Sequence, residues 1–283
     1  MTPEELIDRV VDLPTVSPAA VKLMSLLNKP DVQTKDVVDI VRYDTILSLK
    51  LLRVCNSALL SRGEPIASLE QAVQRLGYYE LYRLVLALTV GKSLSRQLPG
   101  YAIDQKGLWR HSLATGLAAE MVQSVSKVVE VEASVAYTAG LVHDLGKLAL
   151  DNALSPEVGA AVRLEVEQNG LSTLEAERKI LQTDHSEIGA ILLRRWNMPE
   201  SIIEATANHH APVLSPKPQL SAVVHVANCL AHEVGAGAGR DSHAVRVNEQ
   251  AAVVLGIGPE KLALLMIDIY DSLARIEQLA NVS

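Results

Sequence analysis

Apolar residues recur three and four positions apart along most of this chain, and strand-like alternation is scarce, so the pattern predicts helices almost throughout. Ser17-Pro18 reads as an N-cap followed by proline at the first helical position, opening a helix over 19–27 with Val21, Met24 and Leu27 on one face. Asn28-Lys29-Pro30-Asp31 breaks it, and Thr34 is expected to cap the next helix, whose apolar face is Val37, Val38 and Val41. A long apolar helix is expected over 45–60. Ser68 and Gln71 have capping-box spacing ahead of Ala72, Val73 and Leu76, Gly77 ends that helix, and 81–94 follows as a buried one. After Leu98-Pro99-Gly100, helices are expected over 104–124, 130–150, 156–169, 174–182, 186–196, 199–208, 220–234 and 259–279. Gly235 to Ser242 reads as a flexible loop by composition. The fold class is all-α, with Leu98-Pro99-Gly100 dividing an N-terminal helical region (1–98) from a second bundle (99–283).

Composition changes this picture little. A chain of 283 residues with 48% hydrophobic and 21% charged residues buries a sizeable core. Phe is absent and aromatics are 3%, so Leu, Val, Ile and Ala must fill that core, which favours helix-on-helix packing. A net charge of −7 argues against a general nucleic-acid surface but not against a small phosphorylated ligand in a local cationic pocket. Cys55 and Cys229 lack metal-motif spacing and read as buried free thiols. Glu4, Glu5 and Asp8 stand where a signal peptide would carry positive charge, and no apolar run reaches the roughly 18 residues of a membrane span, so a cytoplasmic protein is expected.

Chemistry concentrates at Thr138 to Leu148, where His143-Asp144 and Lys147 sit among apolar residues. If 130–150 is one helix, the three polar groups project from one side of it, since i and i+4 share a face. Asp and Lys are rarely buried without partners, and a metal ion with a phosphate ligand would meet all three. Six of the eight histidines form the candidate set: His111, His143, His185, His209, His210 and His225. No short metal motif has their spacing, but it permits one contribution from each of several successive helices, as in metal sites inside helical bundles. His232 and His243 fall outside this set.

The order H…HD…H…HH, centred on His143-Asp144-Leu145-Gly146-Lys147, resembles the HD superfamily of metal-dependent phosphohydrolases, including its HD-GYP branch. Leu13 to Pro18, Tyr43 to Ser48, Leu52 to Ser57 and Ile66 to Gly77 look more specifically like the HDOD family, and this match spans most of residues 6 to 235. The resemblance implies an all-helical fold, with the HDOD region packed on an HD-like bundle. It also implies a bacterial signalling setting, often without demonstrated catalysis, and protein signalling partners. It would make His111, His143 and Asp144 ligands of one metal, with Asp144 bridging to a second held by His185, His209 and His210. Lys147 matches the lysine that faces phosphate, so Asp144 and Lys147 are the residues expected to take part in any catalysis. Two departures stand out: Asn228 occupies the place of the family's last metal-binding aspartate, and no GYP signature follows His210.

Five neutral imidazoles and one carboxylate leave two divalent ions with about +3 of excess charge, where an aspartate at 228 would leave about +2. One or two divalent transition ions are expected (iron, manganese, nickel or zinc), the first position held more weakly. Three readings follow: a regulatory module whose pocket binds metal or a phosphorylated ligand such as a nucleotide, placed first; a metal-dependent phosphohydrolase; and a purely structural polar core. His225 is expected to be a core residue.

Overall fold

The computed structural model describes residues 2–8, 22–23, 26, 33–42, 45–56, 66–126, 128–215, 219–237, 239 and 247–282. Every extended element among them is helical; the one β-type pairing is an isolated bridge between Leu98 and Ile103. In chain order the helices are α1 (Pro3–Asp8), α2 (Thr34–Arg42), α3 (Thr45–Cys55), α4 (Leu69–Leu76), α5 (Tyr78–Leu94), α6 (Gly107–Ser126), α7 (Ala133–Val142), α8 (Leu145–Ala153), α9 (Pro156–Asn169), α10 (Thr173–Leu181), α11 (His185–Arg195), α12 (Glu200–Ala207), α13 (Leu220–Ala231), α14 (Glu249–Val254) and α15 (Pro259–Val282). A 3₁₀ turn at Pro99–Tyr101 and a π-helical turn at His232–Ala236 lie between them. Among the described residues no helix is long and apolar enough to cross a membrane.

The chain divides into two compact units: Met1–Leu13 with Leu94–Tyr270, and Pro14–Ser93 with Asp271–Ser283. In the smaller unit α2, α3 and α4 pack on one another through Val37, Val41, Leu47, Leu51 and Ala72, all buried. Asn56 ends α3 and pins the chain that returns to α4, donating to the Ile66 carbonyl (2.7 Å) and accepting from the Ile66 N–H (2.6 Å). Ser68 caps α4 by accepting from Gln71 N–H, and the Gln71 side chain accepts from Ala67 N–H, one residue earlier than a standard capping box. Burial of the Cys55 thiol at the end of α3 pushes its pKa up to about 11, which keeps it unreactive.

In the larger unit α6 is the central rod. It buries residues on nearly every face, with α7 and α13 against it. The α6–α7 approach is close because Gly140 faces α6: a Cβ there would stand 2.5 Å from the Thr115 carbonyl oxygen. Helix α1 returns to this unit, where Leu6 and Ile7 pack with Ala149, Leu150 and Ile188, and Asp8 pairs with Arg195 at 2.7 Å.

Several sequence expectations need correcting. The segment 130–150 is not one helix: α7 stops at Val142, Asp144 adopts φ −99°, ψ 12°, and α8 starts at Leu145. Nothing in the residues marks that break, since neither glycine nor proline lies at it. Thr34 does not precede its helix but begins it, and Asp36 accepts from Gln33 N–H. The expected helix over 45–60 ends at Cys55. Gly235 leaves the helical region (φ 76°, ψ 19°) within the π turn, as a loop start would. Residues 238 and 240–242 of the expected loop lie outside the described residues, and α14 was not anticipated. Ser17-Pro18 and most of 19–31 lie outside the described residues, as do the rest of Leu13 to Pro18 and Tyr43-Asp44.

Capping is clear in the second half. Ser155 caps α9 with Pro156 at its first turn and Gly170 closes it, while Ser172 and Glu175 form a full capping box on α10. Replacing Ser172 with alanine is expected to cost about 1 kcal/mol, read as a lower urea midpoint at unchanged slope.

Candidate metal centre

The break between α7 and α8 shapes the site. His143 sits just past the last turn of α7, where its Nδ1 donates to the Gly140 carbonyl at 2.8 Å. Asp144 follows in the bridge region, and its carbonyl accepts from Lys147 N–H to start α8. Imidazole and carboxylate therefore leave the chain at the junction of two helices, not from one continuous face.

Four imidazoles surround that carboxylate. Asp144 Oδ2 lies 3.5 Å from Nε2 of both His111 and His143, and Oδ1 lies 3.4 Å from His185 Nε2 and 3.7 Å from His209 Nε2. Each ring has its other nitrogen committed: His111 Nδ1 to the Ala236 carbonyl (3.1 Å), His209 Nδ1 to the Thr206 carbonyl (2.7 Å), and His185 Nδ1 to the Glu177 carboxylate (2.6 Å). These acceptors place the proton on Nδ1, assigned from partners, so four Nε2 lone pairs point at Asp144. Lone pairs do not hydrogen-bond one another, yet His111 and His143 Nε2 are 3.3 Å apart; His210 Nε2 lies 2.9 Å from His185 Nε2. Metal–nitrogen bonds of about 2.0–2.1 Å at roughly tetrahedral or octahedral angles put neighbouring ligand nitrogens about 2.9–3.4 Å apart. The spacings fit a shared cation.

The unpartnered atoms agree. Asp144 Oδ1, His209 Nε2 and Asn228 Oδ1 are buried acceptors without a hydrogen-bond partner among the described residues. Two groups that could each hold an ion emerge, His111 with His143 and Asp144, and His185 with His209 and His210. Thus the structure brings together all six residues expected as ligands. Lys147 joins them, its Nζ 2.8 Å from Asp144 Oδ2.

Burial and neighbouring charge set the ionisation of these groups. Burial holds the His111, His209 and His210 pKa values well below the usual imidazole range, and His143 below it, so these rings are neutral at neutral pH. For Asp144, burial pushes the carboxyl up, but His143, Lys147, His185 and His111 outweigh it and hold it well below the usual range. His185 is the exception: burial pulls it down, and the Glu177 carboxylate raises it beyond its ordinary value.

Residues outside the expected set also build the site. Glu177 is fully buried and accepts from His185 twice, ring and backbone. Asp184 caps α11, accepting from Ser186 and Glu187 N–H and from Arg178, which fixes where His185 begins the helix. His225 uses both ring nitrogens, Nδ1 donating to the His209 carbonyl (2.8 Å) and Nε2 accepting from Asn248 N–H (3.0 Å). It is a core residue that also holds the backbone of His209. His232, set apart on sequence, packs its ring on His111 with centroids 4.6 Å apart. Asn228 precedes it by four residues on the same helical face, 2% exposed.

Asp184→Ala is expected to cost about 1–2 kcal/mol through the lost cap. Burial raises the Asp184 carboxyl, but the Glu187 N–H and Arg178 outweigh burial and leave it below its ordinary value. Its contribution is therefore full above an unfolded pKa of about 3.9 and fades as pH falls through the lower folded value. Unfolding free energies of wild type and variant should converge in acid and diverge above that range.

A model of the HDOD domain matches residues 13–212. A Treponema pallidum (strain Nichols) protein of uncharacterised role is 28% identical over 221 residues, 76% of this chain; the chain spans 42% of that protein's length. An HDOD domain protein of unknown function from Geobacter sulfurreducens superposes with a TM-score of 0.75 at 24% identity, covering 99% of this chain and 95% of that one. A proposed phosphohydrolase from Shewanella amazonensis SB2B gives 0.72 at 23% identity, with 97% of each chain covered. A second proposed, metal-dependent phosphohydrolase from that organism gives 0.58 at 22% identity, covering 99% and 96%. At these identities the structures share the fold.

Proposed function

This chain belongs to the HDOD family, and on that premise we propose that it is a regulatory protein whose HD-type pocket holds one or two divalent transition ions and takes a phosphorylated ligand, such as a nucleotide. The observation that carries this reading is the set of four Nε2 lone pairs aimed at one buried carboxylate. A hydrogen-bonded polar core would not leave Asp144 Oδ1 and His209 Nε2 unpartnered.

The donors are five imidazoles and a carboxylate, a set suited to iron, manganese, nickel or zinc. His111, His143 and Asp144 would hold one ion, and Asp144, His185, His209 and His210 the other. A bound ion would supply Lewis acidity toward a phosphate oxygen. Around it, Lys147 presents an ammonium beside Asp144, the buried rings exclude water, and their carbonyl-tethered Nδ1 atoms fix the orientation of each Nε2. With a single carboxylate among the ligands, the excess charge of about +3 for two ions favours an anion.

Hydrolysis is the second reading, favoured by the same ligand set. It is weakened by Asn228, whose neutral amide stands where a carboxylate would strengthen the first ion's site. Asn228→Asp is accordingly expected to tighten that ion about tenfold or more, measured by chelator competition. Phosphoester and nucleotide hydrolysis with added manganese or iron separates the readings: no turnover by wild type is expected. Turnover that Asp144→Ala abolishes would replace the regulatory reading with the enzymatic one.

A further inference from the structure

The two ligand groups are chemically unequal, and the inequality runs through Glu177. This carboxylate, fully buried on α10, accepts from His185 N–H at 2.9 Å and His185 Nδ1–H at 2.6 Å, and from the Tyr101 hydroxyl at 2.6 Å. Tyr101 is delivered by an anchored turn: Asp151 Oδ1 accepts from Gly100 N–H (2.8 Å), and the Arg163 guanidinium donates to the Pro99 carbonyl (2.9 Å). The result is a fixed chain from hydroxyl to carboxylate to imidazole, ending in a lone pair aimed at Asp144 Oδ1.

The other rings lack this. His111, His143 and His209 donate to neutral backbone carbonyls, of Ala236, Gly140 and Thr206. A carboxylate partner increases the electron density on the opposite ring nitrogen more than a carbonyl does, and places a compensating negative charge one residue from the metal. Asp144 is also divided. Its Oδ2, facing His111 and His143, is taken by the Lys147 ammonium at 2.8 Å, whereas Oδ1, facing His185 and His209, has no hydrogen-bond partner. A cation beside His111 and His143 would compete with Lys147 for its only carboxylate oxygen.

Resting on the metal-binding reading above, we infer that the pocket fills in order: the His185–His209–His210 group takes the first and tighter ion, Glu177 and Tyr101 being the positioning residues that make it so. The His111–His143 group takes a second, exchangeable ion.

The test uses the full chain stripped of metal and titrated with Co²⁺. One equivalent is expected to give anomalous density among His185, His209 and His210 in crystals. Density beside His111 and His143 instead would overturn the order while leaving metal binding intact. Glu177→Gln should weaken the tighter Co²⁺ dissociation constant about 10–100-fold, change the cobalt d–d spectrum of the one-equivalent complex, and leave the weaker constant in place. An unchanged tighter constant, or equal losses at both steps, overturns the role of Glu177. If the Gln variant does not fold, Tyr101→Phe keeps the carboxylate and is expected to weaken the tighter constant several-fold; no change there overturns the chain of contacts. Wild type that takes up no Co²⁺ overturns this inference together with the reading it rests on.

Discussion

Gly146→Ala is expected to destabilise the larger unit by about 3 kcal/mol or more, the upper end of overpacking costs, and to abolish metal binding with it. A Cβ built on Gly146 would lie 1.8 Å from the His185 carbonyl oxygen, 2.7 Å from its carbon and 2.8 Å from Gly189 N. All three atoms are backbone, so no side chain can swing aside. The only relief is to separate α8 from α11, and those helices carry Asp144 at the start of one and His185 at the start of the other. Gly159→Ala is the control: its Cβ would meet only the Gly100 Cα, at 3.6 Å, and alanine in a helix interior is favoured over glycine by about 0.5–1 kcal/mol. Urea unfolding should show a large drop for the first variant and no loss for the second. Equal behaviour of the two would show that α8 and α11 do not meet as described.

Asp144→Asn is expected to have the next largest effect, and to act twice. The amide cannot bridge two ions as a carboxylate does, so metal content should fall to background. It also removes the carboxylate 2.8 Å from the Lys147 ammonium, whose side chain is 9% exposed. Removing one partner of a buried pair costs about 3–5 kcal/mol. The double variant Asp144→Asn with Lys147→Met separates the effects: stability should return in large part, metal should not. If stability does not recover, the Asp144–Lys147 pair is not the source of the loss; if metal returns, Asp144 is not a ligand.

Much of this was legible in the residues because capping chemistry is local. Ser68 with Gln71 and the helix expected over 156–169 mark ends that the structure keeps within a residue or two. The six residues expected as ligands could be singled out only through resemblance, since positions 111 to 210 bear no short-range relation; the structure gathers them around Asp144. What escaped was set by tertiary contacts. The α7–α8 break has no local signal; it depends on the Asp144 backbone turning so that Gly146 can touch α11. Glu177 lies between Ala176 and Arg178 on a helix rich in Glu, Arg and Lys, where an acidic residue reads as solvated. Its burial follows from facing His185 across the α10–α11 turn. His232 could have been found, since four residues separate it from Asn228 and both then share a face. Helix α1 shows no sequence sign of packing on α8 and α11, because Leu6 and Ile7 could serve any core.

The central claim is that the imidazoles gathered around Asp144 hold a transition metal, and it is tested most directly by elemental analysis of protein purified without a nickel column. One or two iron, manganese, nickel or zinc ions per chain are expected, as isolated or after reconstitution, and none in Asp144→Ala. Wild type that stays without stoichiometric metal after reconstitution would contradict the account and return the cluster to a polar core.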